Sequence, residues 1–462
     1  MLPVLALVGR PNVGKSTLFN RLTRSRDAIV NDQPGVTRDR LHGRGRVGDK
    51  GFLAVDTGGL EAGGGRLGAI IRSQVELAIE EAQAILFMVD AGDGLVAQDR
   101  DIGAQLRQSG VPVFVLVNKS EGVEPELAAA EFQELGLGAP FAISAKRGDG
   151  VEELIAAVLA EHADEPAPAD DGVPRIALAG RPNVGKSTLA NKLARESRVL
   201  VSDAPGTTRD SVRMPLCIDG ERIVLIDTAG VRKKARVAET IEKFSVIKTL
   251  QAMEEANVVV LMLDATCEIG AQDATIAGMI QDIGRSMVLA VNKWDRLADR
   301  QRRKIKDELD LKLPFLPDPE IIWLSALHGS GLAEVVPAAL RAYRGAMISI
   351  ATASVNQTLA QAIAQTPPPL HRRRPVRLKF AHQAGKNPPV IVVHGGQAER
   401  MPASYRRYLS RYFARAYNLR GTPVRIIPRS GDNPYIAKPS RGTRKRKPSA
   451  PRKKRSARAG KS

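Results

Sequence analysis

Cysteine is scarce in this sequence. Cys217 and Cys267 are the only two among 462 residues, so a disulfide framework and a cysteine-based zinc site are both excluded. The pair predicts buried, reduced thiols in a cytoplasmic protein. The six histidines are scattered without the spacing of metal ligands, and none is assigned to a metal or to catalysis.

Long hydrophobic runs are also missing. No apolar stretch approaches the roughly 20 residues that a membrane-spanning helix needs. The apolar residues 1–8 lack a basic leader and a small-residue cleavage site, so they predict a first strand, not a signal peptide. With 43% hydrophobic and 26% charged residues, the composition is that of a globular protein. We expect no association with a membrane.

Acidic residues are nearly absent from the last quarter of the chain. Residues 1–344 contain 43 Lys and Arg against 48 Asp and Glu. Residues 345–437 contain 14 against 2, and residues 438–462 contain 12 against none. The net charge of +19 therefore comes entirely from the C-terminal part. Such asymmetry indicates a polyanion-binding region attached to a neutral or acidic body.

The chain contains an internal duplication. The nonapeptide at residues 9–17 recurs without change at residues 180–188, which is an offset of 171. At the same offset residues 34–39 match residues 205–210, and residues 56–59 match residues 227–230. Two later pairs of short motifs match at offsets of 174 and 181. Because solenoid repeats have much shorter periods, we interpret this as a duplicated domain.

Each copy alternates short apolar runs with polar stretches. Residues 52–55, 84–89 and 113–117 are continuously apolar, as strands of a parallel sheet covered on both faces are. Each run ends at a motif, which places the motifs at the carboxyl ends of strands, where doubly wound sheets bind ligands. The acidic, proline-bearing segment between the copies is predicted to be a linker.

The repeated nonapeptide matches the P-loop pattern Gly-x4-Gly-Lys-Ser, at Gly9 and again at Gly180. Its glycines let backbone N–H groups surround phosphates at the N-terminus of the following helix. Lys15 and Lys186 are expected to neutralise phosphate charge, and Ser16 and Ser187 to bind Mg²⁺. Two copies, each after an apolar strand, make an incidental glycine-rich turn very improbable.

Two further elements fit the same chemistry. Asp56 and Asp227 end apolar strands and precede Thr-Gly-Gly and Thr-Ala-Gly, so each carboxylate is expected to hold Mg²⁺ and the glycine N–H to sense the γ-phosphate. Thr37 and Thr208 lie between P-loop and aspartate, where a switch residue closes on Mg²⁺. The metal set is therefore Ser16, Thr37, Asp56, Ser187, Thr208 and Asp227.

Base choice is assigned to Asn292-Lys293-Trp294-Asp295. An aspartate there accepts from the N1 and exocyclic amine of guanine, whereas adenine would leave that carboxylate unpaired. The first copy, Asn118-Lys119-Ser120-Glu121, carries the longer Glu, which leaves its guanine affinity open. Two serine-containing loops are expected to back the base, namely Ser144-Ala145-Lys146 and Ser325-Ala326-Leu327.

These elements resemble the TRAFAC-class GTPases, and their tandem order resembles the Der (EngA) family. The resemblance implies an α/β fold with two P-loop GTPase domains, a C-terminal α+β KH-like domain, and a role in assembling the large ribosomal subunit. The implied domains are 1–160, 174–345 and 346–437, with a linker at 161–173 and a disordered basic tail at 438–462. The implied partners are the 50S subunit or its precursor and rRNA, without DNA or membrane, and the chain is expected to be a monomer.

The resemblance also implies a catalytic arrangement. Leu60 and Val231 stand where other GTPases place a catalytic glutamine, so neither orients water. A bound K⁺ is expected to do part of that work, held by Asn12 and Asn183, with simple capping of the turn by these asparagines as the less favoured alternative. Catalytic roles fall to Lys15, Thr37, Lys186 and Thr208.

The residues assigned to GTP or GDP binding form matching sets in the two copies. They are Gly9, Arg10, Pro11, Asn12, Val13, Gly14, Lys15, Ser16, Thr17, Asp56, Thr57, Gly58, Gly59, Leu60, Asn118, Lys119, Ser120, Glu121, Ser144, Ala145 and Lys146 in the first, and Gly180, Arg181, Pro182, Asn183, Val184, Gly185, Lys186, Ser187, Thr188, Asp227, Thr228, Ala229, Gly230, Val231, Asn292, Lys293, Trp294, Asp295, Ser325, Ala326 and Leu327 in the second.

The C-terminal region predicts strands at 375–382, 389–393 and 422–427 and a helix at 404–418. Aromatic residues on that helix are expected to pack on the small sheet in preference to stacking on bases, and to serve mainly in docking the GTPase domains. No clear Gly-x-x-Gly clamp is present, so RNA contact through a basic surface is favoured over KH-type gripping. Two alternatives stay open: a GTPase in tRNA modification, and an RNA-binding scaffold with little turnover in its first domain.

Overall fold

The structure is a computed structural model that describes residues 2–23, 42–47, 50–57, 79–160, 172–196, 212–227, 246–371 and 374–430. Several predicted features lie outside these residues. They are Thr37, Gly58, Gly59, Leu60, Thr208, Thr228, Ala229, Gly230, Val231, nearly all of the linker, and the basic tail.

The first sheet has six strands in the order β2-β3-β1-β4-β5-β6. Its strands are β1 (Val4–Val8), β2 (His42–Val47), β3 (Lys50–Asp56), β4 (Ala84–Asp90), β5 (Val113–Asn118) and β6 (Phe141–Ala142). Only the edge strand β2 is antiparallel to its neighbour. The helices are α1 (Lys15–Thr23), α2 (Ala97–Gln108), α3 (Pro125–Ala130) and α4 (Val151–Ala160), with a 3₁₀ turn at Glu131–Leu135.

The second sheet repeats this order as β8-β9-β7-β10-β11-β12. Its strands are β7 (Arg175–Ala179), β8 (Val212–Ile218), β9 (Glu221–Asp227), β10 (Val258–Asp264), β11 (Ser286–Asn292) and β12 (Glu320–Trp323). Its helices are α5 (Lys186–Glu196), α6 (Val246–Glu255), α7 (Ala271–Ile283), α8 (Asp299–Lys312) and α9 (Val335–Ala346), with 3₁₀ turns at Trp294–Arg296 and Leu332–Glu334. Strand β8 is the antiparallel edge.

The central strands are buried on both faces, as their continuous apolar sequences predict. Every residue of β1, β4, β10 and β11 is buried. Side chains of the first sheet divide between two clusters, one on each face, and those of the second sheet do the same. Burial of this kind contributes about 1.5–3 kcal/mol for each large apolar side chain, so both sheets carry their own cores.

The C-terminal unit has a three-stranded sheet of mixed direction. Strand β15 (Arg377–Gly385) is antiparallel to β16 (Val390–Gly396), which is parallel to β17 (Arg425–Ser430). One face carries α10 (Thr352–Gln365) and α11 (Ala403–Ala416). A short hairpin of β13 (Leu370–His371) and β14 (Arg374–Pro375) and a 3₁₀ turn at Ala398–Arg400 complete it. The three predicted strands and the aromatic helix are confirmed, whereas α10 was not predicted.

The aromatic side chains of α11 pack inside their own unit. Tyr405, Leu409 and Phe413 are buried against α10 and the sheet. The Tyr405 hydroxyl donates to the Thr366 carbonyl at 2.7 Å, and that of Tyr408 donates to the Ala362 carbonyl at 2.8 Å. The packing interpretation is confirmed. The expectation that this face mainly docks the GTPase domains is wrong, because α10 occupies it.

The C-terminal unit instead docks on the second sheet's unit through the turn before β17. The Met287 N–H donates to the Gly421 carbonyl at 2.8 Å, and the hydroxyls of Ser286 and Thr422 share a hydrogen bond of 2.9 Å. Arg425 donates to the Ile283 carbonyl at 2.7 Å. These contacts fix the small sheet against the ends of α7 and β11.

The first sheet also packs directly against helix α6 of the second unit. Val4, Leu53 and Val55 of the first form one apolar cluster with Ile247 and Leu250 of α6. Around it, Arg44 Nη1 lies 3.3 Å from Glu254 Oε2, and Lys248 Nζ lies 3.4 Å from Glu81 Oε1. Helix α6 is therefore shared between the core of the second unit and the interface with the first.

The cysteine prediction is wrong in part. Both cysteines are free, but Cys217 is half-buried and Cys267 is exposed. Cys217 lies on the edge strand β8, and Cys267 lies in the turn after β10, positions where a sheet does not cover the side chain. Within the described ranges, no helix is long and apolar enough to cross a membrane.

Candidate nucleotide sites

Each P-loop bends sharply between a central strand and the helix that follows it. Gly9 and Gly14 have φ of +150° and +106°, and Gly180 and Gly185 have φ of +142° and +103°, a region that favours glycine. A Cβ at Gly14 would lie 2.3 Å from Asn118 Nδ2. Glycine is therefore required both for the turn and for the approach of Asn118.

The P-loop lysines are held at the centre of these turns. Lys186 Nζ donates to the carbonyls of Gly180 and Arg181 at 2.9 and 2.8 Å. Lys15 Nζ donates in the same way to Gly9 and, at 2.9 Å, to Arg10. Both lysines are buried. An ammonium group so enclosed is positioned to meet an anion that enters the loop.

One asparagine in each copy ties the base-binding loops to the P-loop. Asn118 Nδ2 donates to the Val13 carbonyl at 2.7 Å, while its Oδ1 accepts from the Ala145 N–H at 2.8 Å. Asn292 makes the same two bonds, to Val184 at 2.7 Å and from Ala326 at 2.9 Å. Three segments predicted from sequence to form one site are thus joined by a single buried amide in each copy.

The carboxylates predicted to read the base, Glu121 and Asp295, are held by Ser144 and Ser325. Ser144 Oγ donates to Glu121 Oε1 at 2.5 Å. That hydrogen bond is the main cause that lowers the pKa of Glu121. A hydrogen bond from Ser325 likewise lowers the pKa of Asp295. Glu121, although one methylene longer, therefore accepts from Ser144 as Asp295 accepts from the equivalent Ser325.

Only some of the predicted Mg²⁺ ligands have side chains within the described part of the chain. Ser16 Oγ donates to Asp56 Oδ2 at 2.8 Å, at the junction of α1 and β3. A hydroxyl and a carboxylate oxygen at the N-terminus of a helix are the donors that Mg²⁺ prefers, so these residues fit that ion. Ser187 begins α5 in the same way. Asp227 ends β9, but its side chain lies outside the described part of the chain.

The lysines of the base-reading motifs form ion pairs with strand-end aspartates. Lys293 Nζ lies 2.5 Å from Asp264 Oδ2 and donates to the Asn183 carbonyl at 3.1 Å. Lys119 pairs with Asp90. Asp90 and Asp264 were not predicted as site residues, although both end apolar runs at the edge where the motifs meet.

A second pair of acids was also missed. Asp99 and Asp273 are fully buried and lie beside Arg10 and Arg181 of the P-loops. Both aspartates end an Ala-Gln-Asp tripeptide, at residues 97–99 and 271–273. The offset of 174 equals that of the Asn-Lys motifs, so an internal comparison of the copies could have found them.

The remaining predicted residues lie around these contacts. Val13 and Val184 are buried beneath the loops. Asn12 and Asn183 are exposed and have φ of +67° and +62°, a conformation in which asparagine is enriched. Trp294 packs on Trp323, with ring centroids 4.1 Å apart, and Leu327 is exposed. The other members are surface or backbone positions of the same loops: Pro11, Thr17, Ser120, Lys146, Pro182 and Thr188.

Comparisons with known proteins agree with this geometry. A family described as "50S ribosome-binding GTPase" matches residues 4–119 and 175–293. A second, described as "KH-domain-like of EngA bacterial GTPase enzymes, C-terminal", matches residues 349–429. The chain is similar to "GTPase Der" of Aromatoleum aromaticum, with 51% identity over 95% of this chain and 100% of that protein. It is also similar to that of Thioalkalivibrio sulfidiphilus, with 50% identity over 95% of each chain.

Among solved structures, Aquifex aeolicus Era bound to GDP and AlF4⁻ is 23% identical and covers 56% of this chain and 93% of that one, with a TM-score of 0.29. At that score the likeness carries no conclusion about this protein. Identity of about half over nearly the whole length does carry one. The chain belongs to the Der (EngA) family and is a GTPase, with two P-loop GTPase domains followed by a KH-like domain.

Proposed function

We propose that this protein is a GTP-dependent switch that acts in assembly of the 50S ribosomal subunit by binding rRNA or a precursor of that subunit. One observation carries the proposal: two equivalent nucleotide sites are joined through α6, α7 and β11 to a basic KH-like domain. The "50S ribosome-binding" description of the matching family supports the choice of partner. GTP turnover in the cytoplasm would then control how the domains present that basic surface.

In each site the phosphates would be bound by the P-loop. The backbone N–H groups of each P-loop would surround the phosphates at the N-termini of α1 and α5, which favour anions. Lys15 and Lys186, already enclosed by the loop carbonyls, would exchange those partners for phosphate oxygens. Thr37 and Thr208, which lie outside the described residues, would close over the γ-phosphate.

Mg²⁺ would be held by Ser16 and Asp56 in the first site and by Ser187 and Asp227 in the second. When bound, it supplies positive charge beside the phosphate oxygens. The chain's own part is to keep the hydroxyl and the carboxylate adjacent, which the 2.8 Å contact between Ser16 and Asp56 already does.

Guanine would be read by Glu121 and Asp295. The hydrogen bond from its serine lowers the pKa of each carboxylate, which favours the ionised form that accepts from two N–H groups of the base. The shared serine contact argues against a defective first site, and we therefore favour turnover in both domains over a scaffold role.

K⁺ would occupy a place near Asn12 and Asn183. Their left-handed backbone, with φ of +67° and +62°, is a conformation that asparagine adopts readily. The two residues are exposed at the rim of their P-loops, where a side-chain oxygen can reach an ion beside the phosphates. Hydrolysis should be faster in KCl than in NaCl at equal ionic strength, and equal rates would remove K⁺ from the proposal.

RNA would be bound by the outer surface of the KH-like domain. The aromatic side of α11 faces α10, whereas Arg411 and Arg415 of the same helix are exposed. The tail at 438–462 adds 12 positive charges and no negative one. Binding through these groups would tolerate sequence changes in the RNA and weaken steeply with salt.

The test is co-sedimentation of the full chain with purified 50S subunits, in GDP and in a non-hydrolysable GTP analogue, at two salt concentrations. We expect more protein with the subunit in the GTP analogue. A chain that ends at Ala437 separates the tail from the folded domains, because loss of binding assigns anchoring to the tail. Absence of binding in both nucleotide states would refute the ribosomal part of the proposal and leave the GTPase assignment intact.

A further inference from the structure

Each P-loop is attached to the helix after the fourth strand of its sheet by a buried aspartate. Asp99 is the third residue of α2 and Asp273 the third residue of α7, and both side chains are fully buried. Asp273 Oδ1 lies 2.8 Å from Arg181 Nε. Asp99 Oδ1 lies 3.4 Å from Arg10 Nε. The arrangement is thus built twice in one chain.

The arginine in each pair leads directly to the P-loop lysine. The carbonyl of Arg181 accepts from Lys186 Nζ at 2.8 Å, and that of Arg10 accepts from Lys15 Nζ at 2.9 Å. The aspartate on the helix therefore holds the guanidinium group of the arginine, and the carbonyl of the same arginine holds the ammonium group of the lysine. A shift of the arginine would move the carbonyl that orients the lysine.

Capping of the helix does not explain the choice of an acid. Asp273 Oδ2 accepts from the Gly270 N–H at 3.0 Å, a bond that the oxygen of an asparagine would make equally well. Burial raises the pKa of Asp273, and Arg181 offsets part of that effect. A buried carboxylate is costly unless it is paired, so its presence in both copies indicates that the pairing with arginine matters.

We propose that Asp99 and Asp273 are positioning residues for nucleotide binding and hydrolysis, which act through Arg10 and Arg181 on the P-loop lysines. The inference rests on the proposed phosphate-binding roles of Lys15 and Lys186. It adds a link between each P-loop and the helix that follows the fourth strand of its sheet, α2 in the first copy and α7 in the second.

The two copies differ in how many carboxylates pair with the P-loop arginine. In the first, Arg10 Nη2 also lies 2.7 Å from Asp93. At the matching position the second copy has Cys267, and Arg181 Nη2 only donates to the Glu268 carbonyl at 3.4 Å. Among the described residues, Asp273 is thus the single carboxylate paired with Arg181. The second site should be the more sensitive of the two.

The experiment uses the full chain carrying Lys15→Ala, so that fluorescent GDP and GTP report the second site. Asp273→Asn keeps the size of the side chain and the cap to Gly270 but removes the charge. We expect the dissociation constants of both nucleotides to rise about 10- to 100-fold, the loss typical of a misplaced binding group. Glu268→Gln is the matched control, because Arg181 contacts only the backbone carbonyl of Glu268. This variant should leave both dissociation constants unchanged.

A double-mutant cycle separates positioning from stability. If Asp273 acts through Arg181, then Arg181→Met, Asp273→Asn and the double variant should lose similar affinity, whatever happens to their melting temperatures. Unchanged nucleotide affinity in a folded Asp273→Asn or Arg181→Met protein would overturn the inference. If Lys15→Ala with Lys186→Ala still binds nucleotide as the parent does, the proposed lysine roles fail instead, so the two failures are distinguishable.

Discussion

Ser144 Oγ donates a hydrogen bond to Glu121 Oε1 at 2.5 Å. The bond orients a carboxylate that is one methylene longer than the Asp of the second copy, where Ser325 has the same role toward Asp295. Carboxylates on side chains of different length are thus held by equivalent serines, which supports the proposal that both copies read guanine.

The first prediction concerns this serine. Ser144→Ala should raise the dissociation constant of GDP at the first site by about three- to tenfold, since a hydrogen bond of this kind contributes on the order of 1 kcal/mol. Fluorescent-GDP titration in a Lys186→Ala background measures it. Ser325→Ala in that same background is the control and should have no effect. Equal affinity in the Ser144→Ala protein would show that Glu121 needs no support.

The second prediction concerns pH. The hydrogen bond from Ser144 lowers the pKa of Glu121. This carboxyl therefore stays ionised at pH values below the ordinary glutamate pKa of about 4.3. Protonation would remove an acceptor from the base. Guanine affinity at the first site should therefore hold as pH falls and be lost only below that value.

In Ser144→Ala the pKa of Glu121 should rise, and the loss of affinity should begin at a higher pH than in the parent. Titrations with fluorescent GDP across the acid range, in the background that isolates the first site, give both midpoints. Identical midpoints in the two proteins would contradict the assignment of the pKa shift to Ser144.

The third prediction concerns the joint between the second GTPase domain and the KH-like domain. Gly421 has φ of +61°, and a Cβ there would lie 2.1 Å from the Met287 carbonyl oxygen. Gly421→Ala should destabilise this joint by about 1–3 kcal/mol through backbone strain and by the added clash. Gly396→Ala, where a Cβ meets nothing within 4 Å, is the matched control.

Hydrogen exchange at the Met287 amide, which donates to Gly421, reads out this joint directly. Exchange should accelerate in Gly421→Ala and stay at the parental rate in Gly396→Ala. Equal protection in both variants would show that the joint accommodates a side chain.

Local sequence patterns predicted the features that depend on nearby residues. Continuous apolar runs identify β4 and β5 as two-sided strands, and glycine spacing identifies both P-loops. Helix α10 was missed, although Val355, Leu359 and Ala362 follow helical spacing in the sequence and are buried in the structure. Comparison of the two copies could have marked Asp99 and Asp273 as repeated residues, but not their partners, because each pairs with an arginine about 90 residues earlier that only the folded sheet brings near.

The fourth prediction concerns Glu254, which pairs with two arginines in different surroundings. Arg285 is 15% exposed, with Nη2 3.6 Å from Glu254 Oε2, whereas Arg44 of the first domain is 58% exposed. Arg285 also donates to the Asn387 carbonyl of the KH-like domain at 3.4 Å, so it touches two domains. Removing one partner of a buried pair costs about 3–5 kcal/mol, while an exposed pair contributes about 0–1 kcal/mol.

Arg285→Met should therefore destabilise the protein far more than Arg44→Met. Urea unfolding followed by tryptophan fluorescence suits the comparison, since Trp294 and Trp323 both lie in the second GTPase domain. Adding Glu254→Gln to Arg285→Met should recover part of the loss, because the buried carboxylate, which would otherwise keep only the exposed Arg44 as a partner, is then neutral. Similar losses for the two arginine variants would mean that burial does not set the strength of these pairs.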